Sequence, residues 1–142
     1  MKDLMQTAMY STYQAQWKAT LPYVAGIGLS PGQPKVLDYL SRCDSCMQKD
    51  IAEALDIEPA TVSQLLVNME SDGLIERAKP PHRCRAEHIS ITDKGSAAYQ
   101  RWRELCLNVE KTSLKGFTKE ERSVFLSYLA RMYQNLTGRP LE

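Results

Sequence analysis

Two cysteines in C-x-x-C spacing, Cys43 and Cys46, carry the most reactive side-chain chemistry that this sequence offers. Neighbouring thiols can close a disulfide under oxidative stress, so they form a candidate redox pair. Together with Cys84 and His88 they would also supply four ligands of a kind that zinc accepts. The third interpretation is that both cysteines are small, partly buried side chains at the end of a helix. Because Cys84 falls in a loop too far out to reach the others, we expect no metal site and no cofactor.

A second group of candidate residues lies on a short amphipathic segment that begins at Pro59 and ends at Ser71. Its apolar residues recur at the i, i+3, i+4, i+7 spacing of a buried helix face: Val62, Leu65, Leu66 and Met69. The side chains on and beside the opposite face suit contacts with base edges in DNA: Ala60, Thr61, Ser63, Gln64 and Asn68. Gln64 can make a bidentate contact to adenine, and the small hydroxyls can bond bases or phosphates. The segment contains no Lys or Arg, so the usual arginine-to-guanine contact is not available to it.

A third group is a basic run of nine residues, 77–85, that contains no acid. Pro80 and Pro81 stiffen this run. A run of charges is often no more than a solvated face, but the tip of a two-stranded wing is placed to touch phosphates or the minor groove. We therefore add four of its residues to the candidate DNA contacts: Lys79, His82, Arg83 and Arg85.

Catalytic chemistry is not indicated. The only histidines are His82 and His88, and the sequence has no G-x-S-x-G, P-loop or G-x-G-x-x-G motif. We therefore expect that the protein is not an enzyme. The net charge of +1 means that any affinity for nucleic acid must come from local patches. No apolar run is long enough for a membrane span and the first residues lack a signal-peptide core, so we expect a cytoplasmic protein without membrane contact.

The elements that position these residues can be predicted from periodicity. A short helix with Ile51, Ala52 and Leu55 on one side precedes a break at residues 56–59, and the second helix follows. Gly73 ends that helix, and two β-like runs, 74–77 and 87–91, flank the basic loop. Ser30 is predicted to form a capping box with Gln33 and so to begin an earlier helix that runs from Pro31 to about residue 41. This order predicts a mainly α fold with a small β-wing, the winged helix-turn-helix, which mostly serves to read DNA.

Amphipathic helices are predicted on both sides of the winged domain. Residues 1–20 carry an apolar stripe at i, i+4 spacing, and two further helices follow the wing. Thr92 is predicted to cap the first of these, and a capping box of Thr118 and Glu121 to begin the second. Because a winged domain cannot bury all three faces, we expect a C2 homodimer. The predicted division is 1–30 for an N-terminal dimerisation helix and connector, 31–92 for the winged domain and 93–142 for C-terminal dimerisation helices. Three aromatic residues could wall a pocket for a small aromatic or amphipathic effector: Tyr13, Trp17 and Tyr23.

The segment from Leu29 to Gly95 resembles the multiple antibiotic resistance regulator (MarR) family. The matching stretches are LSPGQPKVLDYL, QKDIAEALDIEPATVSQLLVNMESDGLIER and RAEHISITDKG, of which GLIER and ITDKG are the most specific. The resemblance implies a homodimer with two winged lobes, palindromic operators, usually repression, and an effector pocket between dimer helices and winged lobe. In the family's wing an aspartate two residues before an arginine braces it. Here Arg85 matches the arginine but Arg83 stands at the aspartate position, which makes this wing more basic than usual.

These observations predict a sequence-specific DNA-binding regulator, in the form of a homodimeric repressor that a small-molecule or oxidative signal modulates. Two alternatives remain open at this point. One is a winged-helix module that binds protein without reading DNA. The other is a thiol-redox or metal sensor of the same fold.

Overall fold

The computed structural model describes residues 4–78 and 87–141 of the chain. Its elements are α1 (Leu4–Val24), a 3-10 turn (Ala25–Ile27), α2 (Gln33–Ser41), α3 (Gln48–Leu55), α4 (Pro59–Ser71), β1 (Ile75–Ala78), β2 (His88–Ile91), α5 (Asp93–Ser113) and α6 (Lys119–Thr137). A mainly helical chain with a small β-wing is the predicted fold class, which is confirmed. Along the described residues, none of the helices combines the length and the apolar character that crossing a membrane requires.

The chain forms two compact units, one ending at Leu107 and the other beginning at Asn108. The core of the first unit lies between α2, α3, α4 and the two strands. Its fully buried side chains include Val36, Leu37, Leu40, Ile51, Val62, Leu66, Met69, Leu74 and Ile89. The α4 members of this set confirm the predicted inward face, except that Leu65 is only partly buried and lies at its edge. The functional division at residues 30 and 92 stays a prediction.

Helix α2 begins two residues later than the sequence predicted. Gly32, with φ of 90°, takes the position before the first helical residue, Gln33. Because that φ is far from helical values and suits only glycine, the helix cannot extend back to Pro31. One half of the predicted capping box is present, since the Ser30 N–H donates to Oε1 of Gln33 at 2.8 Å.

The turn between α3 and α4 is tight. Asp56 ends α3 in the left-handed region, with φ of 52°, and Pro59 is the first residue of α4. Proline is tolerated there because the first N–H groups of a helix have no partner within it. The predicted helix-turn-helix is therefore present.

The wing is a two-stranded antiparallel sheet in which Arg77 pairs with Ile89 and Ile75 with Ile91. A bridge outside these strands joins Cys46 to Ile89, with N–O distances of 3.1 and 2.8 Å between their backbones. The segment after α2 therefore lies beside the wing, and it brings Ser45 Oγ to 3.2 Å from Nδ1 of His88.

Helix α5 is fastened to the end of α4 through Thr92. The Thr92 Oγ1 accepts a hydrogen bond from the Gly95 N–H at 3.0 Å and donates one to the Gly73 carbonyl at 2.7 Å. The Thr92 N–H donates to the Leu74 carbonyl at 3.1 Å. The predicted cap of this helix is confirmed, and it also fixes where α5 leaves the wing.

The two outermost helices bury very little. Helix α1 continues through Pro22 to Val24, beyond the predicted end near residue 20, and buries only Thr20 and Val24. Helix α6 buries none of its residues, although the predicted capping box between Thr118 and Glu121 is present.

Candidate nucleic-acid interface

The outer face of α4 holds most of the predicted base-contacting residues. Thr61, Gln64 and Asn68 are exposed, while Val62 and Leu66, on the other side of the helix, are completely buried. An open groove of about 410 Å³ runs along this face. Its lining consists of Ala60, Thr61, Gln64, Leu65 and Asn68. The structure therefore brings four of the five predicted α4 residues together, whereas Ser63 is half-buried and lies outside the lining.

Two amides on this face are joined. Nε2 of Gln64 donates a hydrogen bond to Oδ1 of Asn68 at 3.1 Å, across one turn of the helix. Their i, i+4 spacing places both side chains on the same surface of α4. Sequence reasoning singled out each residue but not the pair.

Two acids at the C-terminal end of α4 make contacts within the protein. Glu70 lies 3.1 Å from Nε of Arg77, and Oδ2 of Asp72 accepts a hydrogen bond from Nε2 of the buried Gln33 at 3.3 Å. Acids beside a DNA-reading helix would repel phosphates if they were unpaired. Arg77 therefore partly offsets the charge of Glu70, and α4 repels phosphates less than it would with an unpaired Glu70.

Arg77 is not available as part of the basic run. Its side chain is 18% exposed and lies between the carboxylates of Glu70, at 3.1 Å, and Glu87, at 3.5 Å. The buried Nε–H lacks the alignment of a hydrogen bond, so its contact with Glu70 is an ion pair only. Arg77 therefore joins α4 to the wing. The other predicted wing contacts, Lys79, His82, Arg83 and Arg85, fall outside the described residues, as does Cys84.

The thiols occupy different environments. Cys46 is 7% exposed, and burial, followed by the nearby Cys43 and Asp50, raises the pKa of its thiol to about 11. Cys43 is half-buried. A thiol with so high a pKa stays protonated at neutral pH, which makes Cys46 a poor attacking nucleophile. Whether the two cysteines act as a redox pair stays a prediction.

A metal site finds no support in the residues that the structure describes. In that part of the chain no three His, Cys, Asp or Glu side chains group closely enough to hold an ion. Cys106 is half-buried on α5, and burial raises the pKa of its thiol as well.

The three aromatic residues of the predicted effector pocket all lie on α1. Tyr13 and Tyr23 are 58% and 59% exposed, whereas Trp17 is half-buried. Tyr13 and Trp17 share a face, but Tyr23, six residues further on, projects about 120° round the helix from Trp17. A pocket lined by all three residues would therefore need further lining residues from another part of the protein or from a second copy of the chain.

Large apolar side chains are exposed on both outer helices. On α1 they are Leu4, Met5, Met9, Tyr10, Tyr13, Leu21 and Tyr23. On α6 they are Val124, Phe125, Leu126, Tyr128, Tyr133 and Leu136. Monomeric proteins rarely leave large apolar patches in water, so helices with this many exposed apolar residues are suited to contact with another protein surface.

Known proteins share this sequence pattern and this fold. A family model described as MarR family matches residues 27–86. The homoprotocatechuate degradative operon repressor of Escherichia coli is 30% identical over 101 residues, which cover 71% of this chain and 68% of that protein. The uncharacterized HTH-type transcriptional regulator YdgJ of Bacillus subtilis is 27% identical over 116 residues, covering 82% and 71%.

Solved structures agree on the fold. The S. aureus MepR–DNA complex superimposes with a TM-score of 0.81 at 23% identity, covering 92% of this chain and 97% of that one. A MarR-family transcriptional regulator from Silicibacter pomeroyi gives a TM-score of 0.77 at 23% identity, covering 94% and 90%.

Proposed function

Because this chain belongs to the MarR family of transcriptional regulators, we propose that it acts as a homodimeric repressor that binds a palindromic operator. The observation that carries the proposal is the outer face of α4. Thr61, Gln64 and Asn68 are exposed there on the second helix of a helix-turn-helix, opposite a completely buried face. Side chains in that position reach base edges when such a helix enters the major groove.

The wing would supply the electrostatic part of the affinity. Helix α4 has no basic residue, and Arg77 is held in internal ion pairs. We therefore assign phosphate contacts to four residues of the wing loop: Lys79, His82, Arg83 and Arg85. Each phosphate that such a contact neutralises releases counterions, so binding should weaken steeply as salt rises.

The dimer is supported by the apolar faces of α1 and α6, which the single chain leaves exposed. A second copy of the chain would cover them in a symmetric interface. The repressor role is supported by the relatives, since the E. coli protein and YetL of Bacillus subtilis are both described as repressors.

We assign the modulating signal to a small aromatic or amphipathic molecule at Tyr13 and Trp17. Aromatic rings with polar tips suit such a ligand, and Trp17 provides a fluorescent reporter. In a Trp102→Phe background, benzoate and its hydroxylated derivatives should change Trp17 emission and release bound DNA at matching concentrations. A derivative that releases DNA without changing Trp17 emission would contradict this assignment.

Selection of bound sequences from a random DNA pool tests the main proposal. The full-length protein should enrich an inverted repeat whose half-site centres lie about 10 base pairs apart. Arg85→Ala should weaken binding to all duplexes alike, because a phosphate contact carries no sequence information. If a protein shown to be folded and dimeric enriches no sequence, the chain is a winged-helix module that binds protein instead.

A further inference from the structure

We infer that α4 reads A·T base pairs through the joined amides of Gln64 and Asn68, which act as one recognition unit, while the groove beside them receives thymine methyl groups. The inference rests on the proposed binding of DNA. It adds the class of base pair and the atoms that select it.

The hydrogen bond between the two amides fixes what they can offer to a base. Nε2 of Gln64 donates to Oδ1 of Asn68 at 3.1 Å, which occupies one hydrogen of the Gln64 amide and one lone pair of the Asn68 carbonyl. The two groups that keep their full capacity are the Gln64 carbonyl, an acceptor, and the Asn68 NH2 group, a donor. Exchanging the amide orientations would still leave one acceptor and one donor. Adenine presents the complementary set in the major groove, with N6–H as donor and N7 as acceptor.

Guanine fits this unit less well. Its major-groove edge presents two acceptors, N7 and O6. An acceptor of the amide pair would then face O6 without a hydrogen bond, and an unpaired polar group that loses its water is costly. The residues that usually read guanine are Arg and Lys, and α4 contains neither.

The remaining lining of the groove suits the partner base of adenine. Beside the two amides, the groove of about 410 Å³ is bordered by Ala60, Thr61 and Leu65. Aliphatic groups of this kind contact the C5-methyl group of thymine, which cytosine lacks. Donor, acceptor and apolar surface therefore lie along one face of α4, where a single A·T pair or two successive ones could use all three.

The pairing also holds the side chains in place before DNA arrives. A glutamine side chain loses rotamer freedom when a contact orders it, and that loss weakens binding. Because Asn68 already restrains Gln64, part of this loss of rotamer freedom has occurred in the free protein and does not weaken binding. The two residues should therefore behave non-additively when they are substituted.

Modified operators test the inference at the level of atoms. The inverted repeat selected by the full-length protein is synthesised with 7-deazaadenine for adenine, or with uracil for thymine, at one position per half-site in turn. Loss of N7 at one adenine should lower affinity by roughly tenfold. Loss of one thymine methyl near that adenine should lower it by about fourfold. The same changes in the flanking sequence should have no effect.

Variants assign these effects to the two residues. Gln64→Ala and Asn68→Ala should each abolish the penalty of the 7-deazaadenine operator, and the double variant should bind about as weakly as either single variant. Ser71→Ala is the matched control, because Ser71 lies on the same side of α4 two turns after Gln64 and forms no hydrogen bond with either amide. It should leave both penalties unchanged.

Two outcomes overturn the inference while leaving DNA binding intact. The first is a selected operator whose central half-site positions are G·C. The second is an A·T-rich operator whose affinity is unchanged by 7-deazaadenine and by uracil at every position. Failure to select any operator is a different result, because it contradicts the proposed function itself.

Discussion

Gly95, in the first turn of α5, lies directly against the backbone carbonyl of Leu74. A Cβ atom placed on Gly95 would lie 2.1 Å from that carbonyl oxygen and 2.9 Å from the side chain of Ile91. The glycine therefore allows α5 to start against the strand that follows α4. This contact places the first turn of α5 against the backbone that leads into β1.

Gly95→Ala should lower the free energy of unfolding by at least about 2 kcal/mol, because a backbone oxygen cannot move away as a flexible side chain can. Urea unfolding followed by circular dichroism measures the change. Gly26→Ala is the matched control, since a Cβ there meets nothing within 4 Å and its φ is not positive. The control should shift stability by less than about 1 kcal/mol. Equal losses of stability in the two variants would contradict the close contact between Gly95 and the Leu74 carbonyl.

Arg77→Gln should lower stability and leave DNA affinity largely unchanged. Its ion pairs with Glu70 and Glu87 are partly solvated, so we expect a loss of about 1 kcal/mol. The slope of log affinity against log salt should match that of the unsubstituted protein. Arg85→Gln is the control and should reduce that slope by about one unit while leaving stability unchanged. A reduced slope for Arg77→Gln would mean that Arg77 contacts phosphate.

Alkaline pH should destabilise the fold through Cys46. Burial raises the pKa of its thiol from 9.0 to about 11, so the folded state keeps a proton that the unfolded chain loses. The contribution of this proton to the free energy of unfolding is complete below pH 9 and is lost as pH rises from about 9 to about 11. It amounts to about 2–3 kcal/mol. Urea unfolding across this range measures the fall.

Cys46→Ala should remove the part of the pH dependence that this thiol contributes. Cys106→Ala, at a half-buried thiol, should remove less of it. Native Cys46 should also react slowly with a disulfide reagent at pH 8. Fast labelling of Cys46 would show that the thiol is accessible and would restore it as a candidate attacking thiol in a redox pair.

Leu136→Arg should convert a dimer into monomers. The side chain is 78% exposed in the single chain, so the substitution should not disturb the fold of the subunit. In a dimer interface it would place a buried charge without a partner, at a cost of several kcal/mol. Sedimentation velocity at micromolar concentration measures the change. Gln134→Arg adds the same charge to an exposed polar position of α6 and should sediment as the unsubstituted protein does if the apolar face is the interface.

Much of the fold followed from local patterns in the sequence. The spacing of Val62, Leu66 and Met69 predicted the buried face of α4, and the Thr118–Glu121 box predicted the start of α6. Such patterns work because helix periodicity and capping involve residues only a few positions apart. The start of α2 was predicted two residues early because a capping pattern does not reveal that Gly32 adopts a φ of 90°.

Part of the candidate site could likewise be predicted from the sequence, and part could be seen only in the tertiary structure. The sequence by itself determined which α4 residues face outward and that none of them is basic. Only the tertiary structure decided that Arg77 is held by Glu70 and Glu87, that Leu65 borders the groove, and that Gly95 must admit the Leu74 carbonyl. The physical reason is that periodicity belongs to one element, whereas the partner of a charge and the closeness of two backbones depend on which elements meet in space.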